Sequence, residues 1–231
     1  MKKILLLFLF LGTLSIYAQD VQLHYDLGKD RKYFTSTIEM FKPDKFGSTY
    51  FFIDMDYNVG DVKGVSMAYW EISRELKFWK TPLTWHVEYN GGFGQFISNN
   101  ENHAFTINDA WLTGVAYEWN NSDFTKGFAL QALYKYIRDK QNLSFQVTGV
   151  WQLFFFDKKL SLMGFADFWR EDKDFNFDGT TDTKFIFLSE PQFWYNFTEH
   201  FSGGSEVELG NNFGSIKGFR VNPTVAVKYN F

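Results

Sequence analysis

From about residue 20 onward the chain alternates apolar and polar residues over most of its length. Val21, Leu23, Tyr25 and Leu27 alternate with Gln22, His24 and Asp26. Phe51, Ile53, Met55 and Tyr57 alternate with Phe52, Asp54 and Asp56; Leu83, Trp85, Val87 and Tyr89 with Thr84, His86, Glu88 and Asn90. The row Leu143, Phe145, Val147, Gly149, Trp151, Leu153 and Phe155 continues the pattern. A period of two puts each series on its own face of a strand, and no sustained spacing of three and four competes with it. Twelve strands are predicted, near 20–28, 33–41, 48–58, 66–79, 83–94, 105–119, 127–138, 142–156, 159–170, 184–197, 201–210 and 219–231.

The connections carry a second rhythm. Those after even strands are short at Lys80-Thr81-Pro82 and Asp157-Lys158, although NNSDFTK after the sixth is longer and the first and fourth odd connections are brief. Several after odd strands are long or Gly-rich: QFISNNENHA (95–104), EDKDFNFDGTTDT (171–183), NVGDVKGVS and NNFGSIKG. Short turns on one side and longer loops on the other are the habit of outer-membrane barrels with both termini in the periplasm.

Composition decides which face is buried. Aromatic residues make up 21% of the chain, with 29 Phe, 12 Tyr and 8 Trp. Mean hydropathy is nonetheless mildly polar, at −0.27. A soluble lipocalin-like barrel would have to hold most of those rings in a small interior. A transmembrane barrel turns its apolar rows to lipid, wears aromatic girdles at both interfaces and keeps polar residues inside. The expected fold is therefore an all-β, twelve-stranded antiparallel transmembrane β-barrel spanning residues 19–231.

Residues 1–18, MKKILLLFLFLGTLSIYA, have the order of a cleavable secretory signal peptide: Lys2 and Lys3, a short apolar core from Ile4 to Leu11, then Tyr17-Ala18 before Gln19. No cysteine follows to carry a lipid anchor, and none is available for a disulfide or a thiolate zinc site. The net charge is −4, and losing Lys2 and Lys3 makes it more negative. That balance argues against nucleic acid as a partner. The expected compartment is the outer membrane of a Gram-negative bacterium, with outer-membrane lipid as surroundings.

The last strand, VNPTVAVKYNF, has Val221, Val225, Val227, Tyr229 and Phe231 in one row. Tyr229 and Phe231 are expected in the periplasmic-side girdle, and the terminal aromatic resembles the signal read by the barrel-assembly machinery. Pro223 lacks an amide donor, so this strand is expected to seal against the first with one ladder bond fewer, or at a bulge.

GSTYFFIDMDYN (47–58), AYWEISRELKF (68–78), GFALQALYKY (127–136) and the final Tyr-Asn-Phe resemble the Tsx-like nucleoside-specific channel-forming outer-membrane proteins. The resemblance implies a monomeric twelve-stranded barrel with a narrow channel that passes nucleosides. The chain is shorter than is typical of that group, which implies trimmed outer loops. None of the group's nucleoside-binding aromatics is carried over to a position here.

With the apolar series outside, parity assigns twelve acids to the lumen: Asp26, Glu39, Asp54, Asp56, Glu71, Glu75, Glu88, Glu118, Asp167, Glu190, Glu206 and Glu208. The strand bases of that parity are Lys77, Lys135, Arg220 and Lys228, while Arg74, Arg138 and Arg170 fall on the apolar parity. Low-dielectric walls focus such a field and repel anions. Phe52, Tyr69, Phe154, Phe165 and Trp169 share the lumen parity, either as filling or as faces for a base or sugar to stack on. Phe52-x-Asp54-x-Asp56 and Phe165-x-Asp167-x-Trp169 place rings beside carboxylates that accept hydroxyl and amine protons. With Glu71 and Glu88 they are the expected solute contacts.

Asp174-Phe-Asn176-Phe-Asp178-Gly179 starts like a calcium loop, but Phe185 stands where the closing Glu belongs, so an Asp-Gly turn is the simpler reading. The four histidines, His24, His86, His103 and His200, meet no Gly-x-Ser-x-Gly elbow. No catalytic group, metal or cofactor is expected. The expected function is passive diffusion of small neutral or cationic polar solutes, nucleosides first. The alternatives are a channel for neutral oligosaccharides and a plugged structural or adhesion barrel.

Overall fold

The computed structural model describes residues 19–231 apart from Asp30, Trp79, Gln141 and Ser215. The expected signal peptide, residues 1–18, lies outside the described residues. The strands are β1 (Gln19–Asp26), β2 (Phe34–Asp44), β3 (Gly47–Tyr57), β4 (Val65–Leu76), β5 (Leu83–Ser98), β6 (Glu101–Asn120) and β7 (Lys126–Ile137). They continue as β8 (Ser144–Phe155), β9 (Leu160–Lys173), β10 (Asp182–Ser189), β11 (Gln192–Asn196), β12 (Phe201–Asn211) and β13 (Phe219–Asn230).

Neighbours in sequence pair antiparallel, and β1 pairs with β13 from Asp20↔Asn230 to Asp26↔Thr224, which closes the sheet on itself. β10 and β11 each pair with both β9 and β12. They are two halves of one stave, parted at Glu190-Pro191, because a proline has no amide to give the ladder. Glu190 N donates to Phe165 O at 3.2 Å, and Val207 N to Pro191 O at 3.0 Å, which holds the halves in line. Counted by staves, the protein is a closed twelve-stranded antiparallel barrel, and no helix occurs among the described residues.

Alternation sorts the side chains as the sequence predicts. Leu23, Phe128, Leu130, Tyr134, Val225 and Val227 are exposed on the outside, while Gln22, His24, Asp26, Lys135, Thr224 and Lys228 are buried within. This apolar-out, polar-in arrangement inverts that of a soluble barrel and suits a hydrocarbon surround. At the rim below β11 and β13, Tyr195, Phe197 and Phe201 pack ring to ring, as do His200, Tyr229 and Phe231.

Two expectations need correction. Residues 95–104 do not form a long loop: β5 and β6 stay paired to Ser98↔Glu101 and turn on Asn99-Asn100. Those asparagines have φ of 53° and 62°, the left-handed pair that a tight hairpin turn needs. The polar look of the segment concealed a projecting hairpin. Secondly, β4 ends at Leu76, so the connection to β5 covers residues 77–82.

Pro223 meets its expectation in a specific way. Leu27 N donates to Pro223 O at 2.8 Å, and the return bond is the one proline cannot make. Lys32 Nζ takes its place, donating to Leu27 O at 2.8 Å.

Candidate functional site in the barrel lumen

All eight expected contact residues, Phe52, Asp54, Asp56, Glu71, Glu88, Phe165, Asp167 and Trp169, lie on the lumen series. Threonine hydroxyls from the adjacent stave hold three of the carboxylates: Thr37 on Asp54 at 2.6 Å, Thr35 on Asp56 at 2.6 Å and Thr148 on Asp167 at 2.5 Å. Tyr69 donates to Glu71 at 2.6 Å, and Gln192 to Glu206 at 2.7 Å. Neutral donors of this kind orient a carboxylate without cancelling its charge.

Cations reach few of them. Arg31, from the β1–β2 connection, bridges Asp26 at 3.1 Å and Glu208 at 2.9 Å. His86 lies between Glu75, 2.6 Å from Nδ1, and Glu88, 3.0 Å from Nε2. Lys77 stands 3.6 Å from Glu118. Among the described residues Glu39, Asp54, Glu71, Asp167, Glu190 and Glu206 have no ion pair. These acids act on one another within the bore: Glu190 lies in the field of Glu206, Asp54, Glu208 and Glu71. Glu71 likewise lies in the field of Glu88 and Asp167. The arginines of the apolar parity stay off this wall. Arg74 turns outward to Asp44 and Thr49, and Arg138 outward to Asp109.

Rings line part of the same bore. Tyr50, Phe52 and Tyr69 follow one another at 6.1 and 6.0 Å between centroids. Above them β6 carries one extra residue between Ile107 and Ala110, while β5 has only Gly91 between Asn90 and Gly92. That bulge reverses the parity of β6, so Phe105 and Ile107 face the side of Gly92 and Gly94. The missing side chains make this possible: a Cβ on Gly94 would fall 2.4 Å from the Phe105 ring. Phe105 then leads to Phe96 at 6.3 Å, and Phe96 stacks on His103 at 5.3 Å.

Other inward rings fill space. Trp169 is buried with Ile186 and Leu188, against Phe165 and Phe213. Lys135 Nζ stands 4.4 Å over its ring, and its Nε1 donates to Glu171 at 3.0 Å. Ala110, Leu112, Leu133 and Ile137 form a second buried apolar group. Trp194, 0% exposed, crosses Gly204 to meet Lys228 at 4.4 Å and the edge of His24 at 5.9 Å. Trp194 thus occupies lumen space here.

Sequence reasoning missed Trp194, Arg31, Asn90 and Phe105. Trp194 shares the parity of Glu190 and was open to discovery; Arg31 sits in a connection, where parity says nothing. The suspected calcium loop is a turn: Asp174 accepts amide bonds from Asn176 and Gly179 at 3.1 and 2.8 Å. Among the described residues no group of three His, Asp or Glu is placed to hold a metal ion.

A closed barrel with an apolar aromatic exterior and a polar lumen is an outer-membrane β-barrel, and it resides in the outer membrane of a Gram-negative bacterium. The chain belongs to the DUF5020 family, a domain of unknown function whose model matches residues 18–231. No curated protein matches it. Among solved structures it is similar to the NanC porin, at 10% identity and a TM-score of 0.57 over 93% of this chain and 100% of that one. The KdgM porin matches at 11% identity and a TM-score of 0.49, covering 93% and 99%. Omp33 of Acinetobacter baumannii matches at 12% and 0.44, covering 93% and 98%. At such identities the likeness is one of fold.

Proposed function

We propose that the protein is an outer-membrane channel for the passive diffusion of small neutral or cationic polar solutes. The observation that carries this reading is the set of lumen carboxylates without ion pairs, Glu39, Asp54, Glu71, Asp167, Glu190 and Glu206, beside the rings of Tyr50, Phe52 and Tyr69. Such a wall admits cations, resists anions and offers flat faces with proton acceptors to a ring-shaped solute. Nucleosides are the first candidates; that choice rests on the resemblance of 47–58, 68–78 and 127–136. The protein works as a monomer in outer-membrane lipid, and Phe231 presents its aromatic ring to the barrel-assembly machinery.

A second reading has its own support. Trp194, Ile186, Leu112 and His86 are at most 1% exposed, which favours a plugged barrel with a structural or adhesive role. Planar-bilayer conductance and liposome swelling separate the two. A channel conducts, prefers cations, and is blocked by nucleosides from one side. Silence in both assays leaves the plugged barrel standing, and block by neutral oligosaccharides alone redirects the choice of solute.

A further inference from the structure

Asn90 is 5% exposed, and its amide nitrogen donates to two carboxylates at once, Glu71 at 3.3 Å and Glu88 at 3.2 Å. Its oxygen Oδ1, equally buried, has no hydrogen-bond partner among the described residues. A buried amide oxygen left without a donor is costly, and native proteins rarely carry one without a reason. The amide cannot simply be turned over, because that would aim an oxygen at both carboxylates.

The surroundings lack donors too. Glu71 receives Tyr69 and Asn90, and Asp167 receives Thr148, yet a carboxylate has about four lone-pair positions. Neither acid has an ion pair among the described residues, whereas Glu88 has His86 at 3.0 Å. Among the described residues the remaining cation nearby is Lys135, which donates to Gln146 at 2.7 Å and lies over Trp169. Its field reaches Asp167, Glu88 and Glu71, but its ammonium is held away from them. These acids are also too dispersed to enclose a metal ion. A ligand that answers this arrangement carries several N–H donors and a positive charge on a short organic frame.

We infer that Glu71, Asp167 and the free Oδ1 of Asn90 form a subsite for the ammonium group of a small organic amine, with the Tyr69 and Phe52 rings as the wall for its carbon frame. The inference rests on the channel reading only for how such a solute arrives. Glu71 and Asp167 supply charge, Asn90 supplies direction, and Lys135 acts as a resident competitor.

The test is calorimetric titration of the refolded barrel in detergent micelles with 1,4-diaminobutane, using 1,4-butanediol as the neutral comparator. The diamine binds and the diol does not. Glu71→Gln and Asp167→Asn each weaken binding by about tenfold, as loss of a charge-assisted contact does. Asn90→Leu weakens it as well, and Lys135→Met strengthens it. Heat-modifiable electrophoretic mobility shows that each variant has folded. Equal affinity across wild type, Glu71→Gln and Asp167→Asn overturns the subsite, as does no diamine binding at millimolar concentration. Binding in micelles needs no conduction, so the two readings fail separately. A barrel silent in bilayers that still binds the diamine loses only the channel, and a conducting barrel that ignores it loses only the subsite.

Discussion

The ammonium of Lys228 stands 4.4 Å from the centre of the Trp194 ring, joining β13 to β11 across the intervening β12. The contact exists because Gly204 of β12 has no side chain: a Cβ there would fall 2.5 Å from the indole. A ring and a charge thus share the part of the lumen next to the periplasmic turn, and they separate in mutants. Trp194→Ala opens this part and raises single-channel conductance, at a stability cost of about 3 kcal/mol, typical of a buried ring lost from a packed site. Lys228→Met removes a positive charge and moves the reversal potential further toward the cation limit. Unchanged conductance in Trp194→Ala places the constriction elsewhere.

Asp54 and Asp56 are one turn of the pleat apart, yet their charges face different company. Asp54 looks across the lumen at Glu190 and Glu206, whereas Asp56 feels the Arg31 guanidinium. Asp54→Asn is therefore expected to lower cation preference more than Asp56→Asn, and the double variant more than either. Reversal potentials under a salt gradient measure this, and they lose sensitivity as salt shortens the screening length. An unmoved potential in the double variant refutes the acidic-lumen account.

The strands were legible because a barrel stave needs only a period of two; Val21 to Leu27 keep it throughout, and Leu143 to Phe155 keep it but for Val150 and Phe154. The lumen series followed from the same parity. Relations across the bore were hidden, since Glu71 comes within the field of Asp167 only once the barrel has closed, which no local pattern encodes. The bulge between Ile107 and Ala110 reversed Phe105 against its own strand, and only the glycines at 91, 92 and 94 hinted at it. Asn99-Asn100 read as loop because its polarity masks two residues suited to left-handed conformations. Arg31 obeys no strand parity at all.

Lys32 and Pro223 both bear on Leu27: Lys32 Nζ donates to its carbonyl, and Pro223 O accepts its amide. Pro223→Ala restores an amide donor at the outer end of the β1–β13 ladder, and stability rises by about 1 kcal/mol, the net worth of one backbone bond. Lys32→Met leaves Leu27 O without its donor in the wild type but not in Pro223→Ala. The penalty of Lys32→Met is therefore larger with proline present, and a double-mutant cycle by urea unfolding in detergent reads the difference. Additive effects would mean that Lys32 does not replace the missing bond.

Asp174 gives the outer β9–β10 connection a pH dependence of known sign. Amides of Asn176, Asp178 and Gly179 donate to its carboxylate at 3.1, 3.4 and 2.8 Å. The Gly179 amide contributes most, and together the donors hold the group below its ordinary value of 3.8. A carboxyl depressed in the ordered loop stabilises that loop fully above the ordinary value, and the stabilisation is lost as pH falls through the lower, ordered-state value. Hydrogen exchange at the Gly179 amide is thus expected to be slow at pH 5 relative to its intrinsic rate, with protection vanishing well below pH 3.8. Asp174→Ala removes the protection at every pH. Calcium leaves the exchange unchanged, because the oxygens a calcium ion would require already accept backbone amides. If calcium slows exchange at Gly179, the ion has displaced those amides as the partner of Asp174, and the turn gives way to a true calcium loop.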